Sequence, residues 1–204
     1  MPRTIITGAS DGIGAEIARQ LARTHGAKLQ LVLAARNAAN LEAVALECRA
    51  AQAQVWTIPT DVSNEAQCRA LIAQTVQHCG GIDVLINNAG VSAHAMLADV
   101  TAENLQWYEQ LMRVNLWGSV WCTHAALPHL QASKGRIVAV SSLAGLVGVP
   151  GRTAYSASKF AMGGFFEALR AELKPSGVSV TRSSAVRPST VSDCTTTRTS
   201  PRYL

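Results

Sequence analysis

The chain has 204 residues, 48% hydrophobic and 15% charged, which fits one domain with a filled core and excludes a wholly disordered chain. Its formal net charge is +5, but residues 182–204 hold four arginines against one acid, and the other charges are scattered without a basic, aromatic-interleaved patch. That distribution argues against nucleic-acid binding.

Cys48, Cys68, Cys79, Cys122 and Cys194 form no Cys-x-x-Cys pair, and the histidines lack ligand spacing. Neither a disulfide framework nor a metal site is expected. No apolar run reaches membrane-spanning length, and Met1-Pro2-Arg3 leads straight into an apolar run. We therefore expect no membrane association, no signal peptide and a cytoplasmic location.

The first predicted strand, residues 4–7, runs into Thr7-Gly8-Ala9-Ser10-Asp11-Gly12-Ile13-Gly14. Ile17, Ala18, Leu21 and Ala22 then recur at helical spacing. Glycines in such a turn let the backbone approach a pyrophosphate, and the helix start offers free N–H groups and a positive dipole end. The spacing is Gly-x-x-x-Gly-x-Gly, not the usual dinucleotide fingerprint, so the strand–turn–helix context carries the signal.

The second strand, residues 29–35, ends at Ala35-Arg36. NAD-preferring sites place a carboxylate there to hold the ribose hydroxyls. An alanine followed by a guanidinium instead suits a 2′-phosphate, so NADP(H) is expected and NAD(H) remains possible. A helix over 40–51 and a strand over 55–58 follow, and Asp61-Val62 is placed to meet the adenine. After a helix over 65–78, the fourth strand (Val84–Asn87) ends in Asn87-Asn88-Ala89-Gly90. In isolation that tetrapeptide is only a turn. At a central strand end it can approach a ribose or brace the sheet.

A long helix is predicted over 101–131, then a strand over 137–141 that ends at Ser142. Tyr155-Ser156-Ala157-Ser158-Lys159 opens a helix over 155–174, which Pro175-Ser176-Gly177 stops before a sixth strand over 178–181. Residues four apart share a helical face, so the Tyr155 hydroxyl and Lys159 ammonium can serve one site. A cation beside a phenol favours its ionised form and suits it to acid–base work near neutral pH. Ser142 can hydrogen-bond the same substrate oxygen. Tyr-x-x-x-Lys alone is common on helices, and the strand-end serine thirteen residues earlier makes the difference.

Alternating strands and helices imply right-handed crossovers. The expected fold is α/β, a doubly wound parallel sheet of Rossmann type with helices on both faces. Every motif above falls at a carboxyl strand end, where such sheets bind ligands.

Together, Thr7-Gly8-x-x-x-Gly12-x-Gly14, Asn87-Asn88-Ala89-Gly90, Asn115, Ser142 and Tyr155-x-x-x-Lys159 resemble the short-chain dehydrogenase/reductase family over about residues 3–181. The resemblance implies hydride transfer between NADP(H) and a carbonyl or alcohol substrate. Its catalytic set is Asn115, Ser142, Tyr155 and Lys159, with Tyr155 as proton donor or acceptor. Ser142 and Tyr155 contact the substrate, and Asn115 holds a water in a proton relay. Gly8, Ser10, Gly12, Ile13, Gly14, Arg36, Asp61, Val62, Asn88, Ala89, Gly90, Tyr155 and Lys159 line the cofactor site. No metal is needed, and a homodimer or homotetramer through the two long helices is implied.

The resemblance fades after residue 181. Pro188 precedes a serine where the family shows a Pro-Gly turn, and ten of the residues from 183 to 200 are Ser or Thr. We expect residues 1–181 to form the catalytic domain and 182–204 an atypical tail, with the substrate lid and final strand missing. The tail reads as a natural shortening or as a frameshift. The Arg- and Ala-rich composition favours the frameshift. A remnant that binds dinucleotide without useful turnover is the alternative function.

Overall fold

The computed structural model describes residues 1–185. In chain order the regular elements are β1 (Arg3–Thr7), α1 (Gly12–His25), β2 (Gln30–Ala35), α2 (Ala38–Ala50), β3 (Gln54–Pro59), α3 (Glu65–Cys79), β4 (Val84–Asn87), α4 (Gln106–Met112), α5 (Gly118–Ser133), β5 (Arg136–Ser142), α6 (Thr153–Glu172) and β6 (Ser179–Ala185). The strands form one parallel sheet in the order β3-β2-β1-β4-β5-β6. The order reverses between β1 and β4, which opens a crevice at their carboxyl ends.

Successive strand residues point to opposite faces, and both faces are apolar. Ile5, Val32, Leu85, Ile137 and Ala139 meet Leu71, Cys122, Leu130, Met162 and Phe166 from α3, α5 and α6. Their neighbours Ile6, Leu31, Leu33, Ile86 and Val140 meet Ala15, Ala18, Leu41, Val44 and Cys48 from α1 and α2. Several helices start at Asx caps: the Asp11, Asn37 and Asn64 side chains accept from the backbone N–H groups of Gly12, Asn40 and Gln67. Among the described residues no helix is long and apolar enough to cross a membrane.

Most boundaries fall within two residues of the sequence reading, and two elements differ by more. The helix expected over 101–131 is a series: a 3-10 turn (Glu103–Leu105), α4, a π-helical turn (Arg113–Trp117) and α5. Apolar periodicity survives a single wide turn, so it does not report one. The sixth strand also extends to Ala185, with Ser183 and Ser184 paired to Val140 and Ser141 of β5. Four residues assigned to the tail are therefore strand. Ladder bonds come from the backbone, so an edge strand can continue where the side chains turn polar. The expectations for residues 186–204 lie outside the described residues.

Candidate active site

At the β1 end, Gly8 and Gly12 adopt φ +66° and +55°, conformations that favour glycine. A Cβ on Gly14 would lie 2.3 Å from the Gly8 carbonyl oxygen and 2.4 Å from Asn88 Nδ2, so no side chain fits there. Asn88 holds this turn from across the crevice. Its Nδ2 donates to the carbonyls of Thr7 and Gly8 at 2.9 and 3.0 Å. Thr7 Oγ1 in return accepts from the backbone N–H groups of Asn88 and Ala89 at 3.0 and 3.1 Å. The turn is thus pre-set before any ligand arrives.

Ser10 and Ile13 are half-buried on the same turn. Arg36 follows β2, fully exposed, and has no ion-pair partner among the described residues. Asp61 lies beyond the end of β3 rather than closing it, and its Oδ1 accepts from Ser63 N and Oγ at 2.9 and 2.8 Å. Val62 is buried where α5 begins, and a Cβ on Gly118 would touch it. Sequence reading missed Asp11, which caps α1 by accepting from Gly12 N at 2.6 Å and sets an exposed carboxylate at the start of the helix. Its signal was the Asp directly before the helix.

The reacting end is assembled by α6 docking on β5. Lys159 is only 4% exposed; its Nζ donates to the Val140 carbonyl at 3.1 Å and lies 3.8 Å from Met162 Sδ. Burial lowers its pKa to about 8. One helical turn earlier, the Tyr155 ring has Lys159 Nζ 5.9 Å from its centroid. Val140 lies two residues before Ser142 on the same strand, so this one hydrogen bond ties the lysine to the serine's strand end. Ser142 Oγ accepts from Ala144 N at 3.2 Å, leaving its proton free to donate.

Asn115 is fully buried in the π turn. Its Oδ1 accepts from Val91 N at 2.8 Å, and its Nδ2 donates to Val91 O and to Ser158 Oγ, each at 2.9 Å. Ser158 Oγ in turn donates to the Tyr155 carbonyl at 2.7 Å. A Cβ on Gly90 would lie 3.2 Å from Asn115 Oδ1 and 3.5 Å from Lys159 Nζ, so the Gly90 backbone passes between them. Ser158 was missed in the sequence; its signal was a position three after Tyr155, on the same helical face. Tyr155, Lys159 and Asn115 thus gather beside the Gly90 backbone, and the Val140 bond ties them to the strand that ends at Ser142, while Arg36 follows β2 and Asp61 follows β3.

The family model for the short chain dehydrogenases matches residues 3–201. The chain belongs to the short-chain dehydrogenase family, whose members are oxidoreductases. It is 44% identical over 172 residues to "11-beta-hydroxysteroid dehydrogenase-like 2" of Arabidopsis thaliana, covering 84% of this chain and 54% of that one. It is 40% identical to "11-beta-hydroxysteroid dehydrogenase A" of Sesamum indicum, covering 84% and 48%. The chain therefore spans about half the length of these curated relatives. Among solved structures it superposes on an alcohol dehydrogenase from Thermococcus sibiricus complexed with 5-hydroxy-NADP, with TM-score 0.81 and 27% identity, covering 89% of this chain and 74% of that one.

Proposed function

We propose that this protein transfers a hydride between NADP(H) and the carbonyl or alcohol carbon of a small molecule. The observation that carries this reading is the buried Lys159, bonded to the β5 end beside Ser142 and one turn below Tyr155. A buried ammonium is expensive to maintain, and its place next to a phenol and a strand-end hydroxyl gives it a purpose.

The residues present fit a nicotinamide dinucleotide. A Cβ on Gly8 or Gly14 would clash with the turn or with Asn88, and Gly12 takes a positive φ, so the turn stays bare where a pyrophosphate would approach; Arg36 has no ion-pair partner among the described residues where a 2′-phosphate would lie. Ser10, Ile13, Asp61, Val62, Asn88, Ala89 and Gly90 would line the rest of the dinucleotide, and Lys159 would reach the nicotinamide ribose. Bound there, the cofactor supplies or accepts the hydride. Ala35, where a ribose-binding carboxylate would stand, supports NADP(H) over NAD(H). The solved relative complexed with 5-hydroxy-NADP supports the same preference.

In reduction, the Tyr155 hydroxyl gives its proton to the substrate oxygen as the carbon gains the hydride, and in oxidation it takes the proton back. Ser142 donates its free proton to the same oxygen and fixes the carbonyl for attack. The Lys159 charge stabilises the phenolate that proton donation leaves. Asn115 is a positioning residue, because both ends of its amide are engaged by Val91 and Ser158. A relay water at Asn115 would therefore meet its main-chain carbonyl rather than its side chain.

The names of the plant relatives make hydroxysteroids one substrate class to test. Half-exposed Trp117 and Phe160 on the long helices support a homodimer or homotetramer. No observation among the described residues favours the remnant without turnover.

The deciding experiment measures NADPH-dependent reduction of aldehydes, ketones and 11-oxosteroids by the parent and Tyr155→Phe. General acids contribute about a hundredfold or more, so turnover should fall at least that far while cofactor binding persists. A variant that keeps most of the parent rate refutes the mechanism.

A further inference from the structure

Resting on the reading above, we propose that Arg152 selects substrates carrying a carboxylate close, along the carbon chain, to the reacting carbonyl or alcohol carbon. Its guanidinium lies over the Tyr155 ring, Cζ 5.9 Å from the centroid, and its Nη1 is 3.5 Å from Ser92 Oγ on the loop after β4. It therefore bridges the two sides of the site mouth immediately beside the proposed proton donor. No acidic side chain among the described residues pairs with it, although seven other ion pairs involve arginine. An unpaired planar fork next to the reacting oxygen suits the oxygens of a carboxylate.

The backbone that carries Arg152 is fixed. Arg152 N donates to Val149 O at 3.0 Å, and Ser156 N donates to Arg152 O at 2.7 Å. Next to it, Thr153 Oγ1 shares a 2.6 Å hydrogen bond with the Tyr108 hydroxyl of α4. Ala95 N donates to Gly151 O at 2.8 Å, and the His94 imidazole lies against Gly151. Among the described residues, the ionisable groups that these contacts bring to this corner are Arg152, His94, Tyr108, Tyr155 and Lys159, and none is a carboxylate. The two loops joined here also carry exposed Met96, Leu97, Leu146 and Val147. These suit the apolar remainder of an oxo- or hydroxycarboxylate.

The test compares 2-, 3- and 4-oxohexanoate with their methyl esters and with 2-hexanone, in the parent, Arg152→Met and Arg152→Lys. Turnover with NADPH gives kcat/KM, and calorimetric titration of the NADP+ complex gives affinity. A charge-assisted contact should make at least one acid favoured over its ester by about tenfold or more in the parent. That ratio should fall toward one in Arg152→Met and survive largely in Arg152→Lys. An ester equal to or better than every acid in the parent, or an acid-to-ester ratio unchanged in Arg152→Met, overturns the proposal. If no compound turns over, the acid-to-ester affinity ratio judges Arg152 by the same criteria, and the oxidoreductase reading is judged separately by the aldehyde, ketone and 11-oxosteroid panel.

Discussion

Replacing Lys159 with Met should change the pH dependence of folding in a calculable way. The ammonium is 4% exposed, and burial lowers its pKa from the ordinary 10.5 to about 8. That gap corresponds to about 3 kcal/mol by which the folded state disfavours the charged form. Below about pH 8 the group is charged in both states and the full penalty is present. Between about 8 and 10.5 the unfolded chain binds more protons, so stability rises with pH and the penalty is lost. Methionine removes the titration but leaves the Val140 carbonyl without its donor, at about 1–3 kcal/mol. Near neutral pH these effects nearly cancel, so the variant should match the parent within about 2 kcal/mol. On going from about pH 7.5 to 9.5 the parent should gain about 2 kcal/mol relative to the variant. Urea unfolding of both proteins at the two pH values measures this directly. A parent-minus-variant difference that does not move with pH would refute a buried, depressed ammonium.

Arg36→Ala should narrow the preference for NADP(H) over NAD(H) by about tenfold or more, read by nicotinamide fluorescence titration; equal or better NADH binding by the parent would defeat the assignment. Asp11→Asn keeps a capping side chain but removes the carboxylate facing the pyrophosphate site. It should tighten NADP+ about twofold to fivefold at low salt and less at high salt; unchanged affinity would place the phosphates elsewhere. Asn88→Ala removes both bonds to the Thr7 and Gly8 carbonyls and should lower stability by about 2 kcal/mol in urea unfolding, with weaker cofactor binding. A fully stable variant with normal cofactor affinity would show that the turn sets itself.

What the sequence made legible was local in the chain. The Tyr155–Lys159 pair is one helical turn, and the glycine turn is one strand–helix junction; both are fixed by short-range geometry. The parallel sheet with helices on both faces followed from strand–helix alternation and crossover handedness. What stayed hidden depends on distant partners. That Asn88 braces the glycine turn is seen only in its bonds to Thr7 and Gly8, about eighty positions away. That Val91 and Ser158 engage both ends of the Asn115 amide is likewise invisible in the sequence. The π turn leaves no trace in apolar periodicity, and the end of β6 is set by backbone pairing with β5 under side chains that read as loop.

The placement of these groups separates chemistry from selectivity. Lys159, Ser142 and Asn115 are held by the sheet ends, α6 and the π turn, which the core fixes through Met162, Phe166, Ala139 and Val114. Moving any of them requires moving the core. The mouth is different: the segments around His94 and Gly151 meet through the Ala95 to Gly151 backbone bond, a packed imidazole and the exposed Arg152–Ser92 contact. Changes there, including at Arg152 and Ser92, can alter which molecule is admitted without repacking the sheet. Evolution of new substrates on this scaffold should therefore run through those two loops, while Lys159, anchored to the Val140 carbonyl within the core, stays.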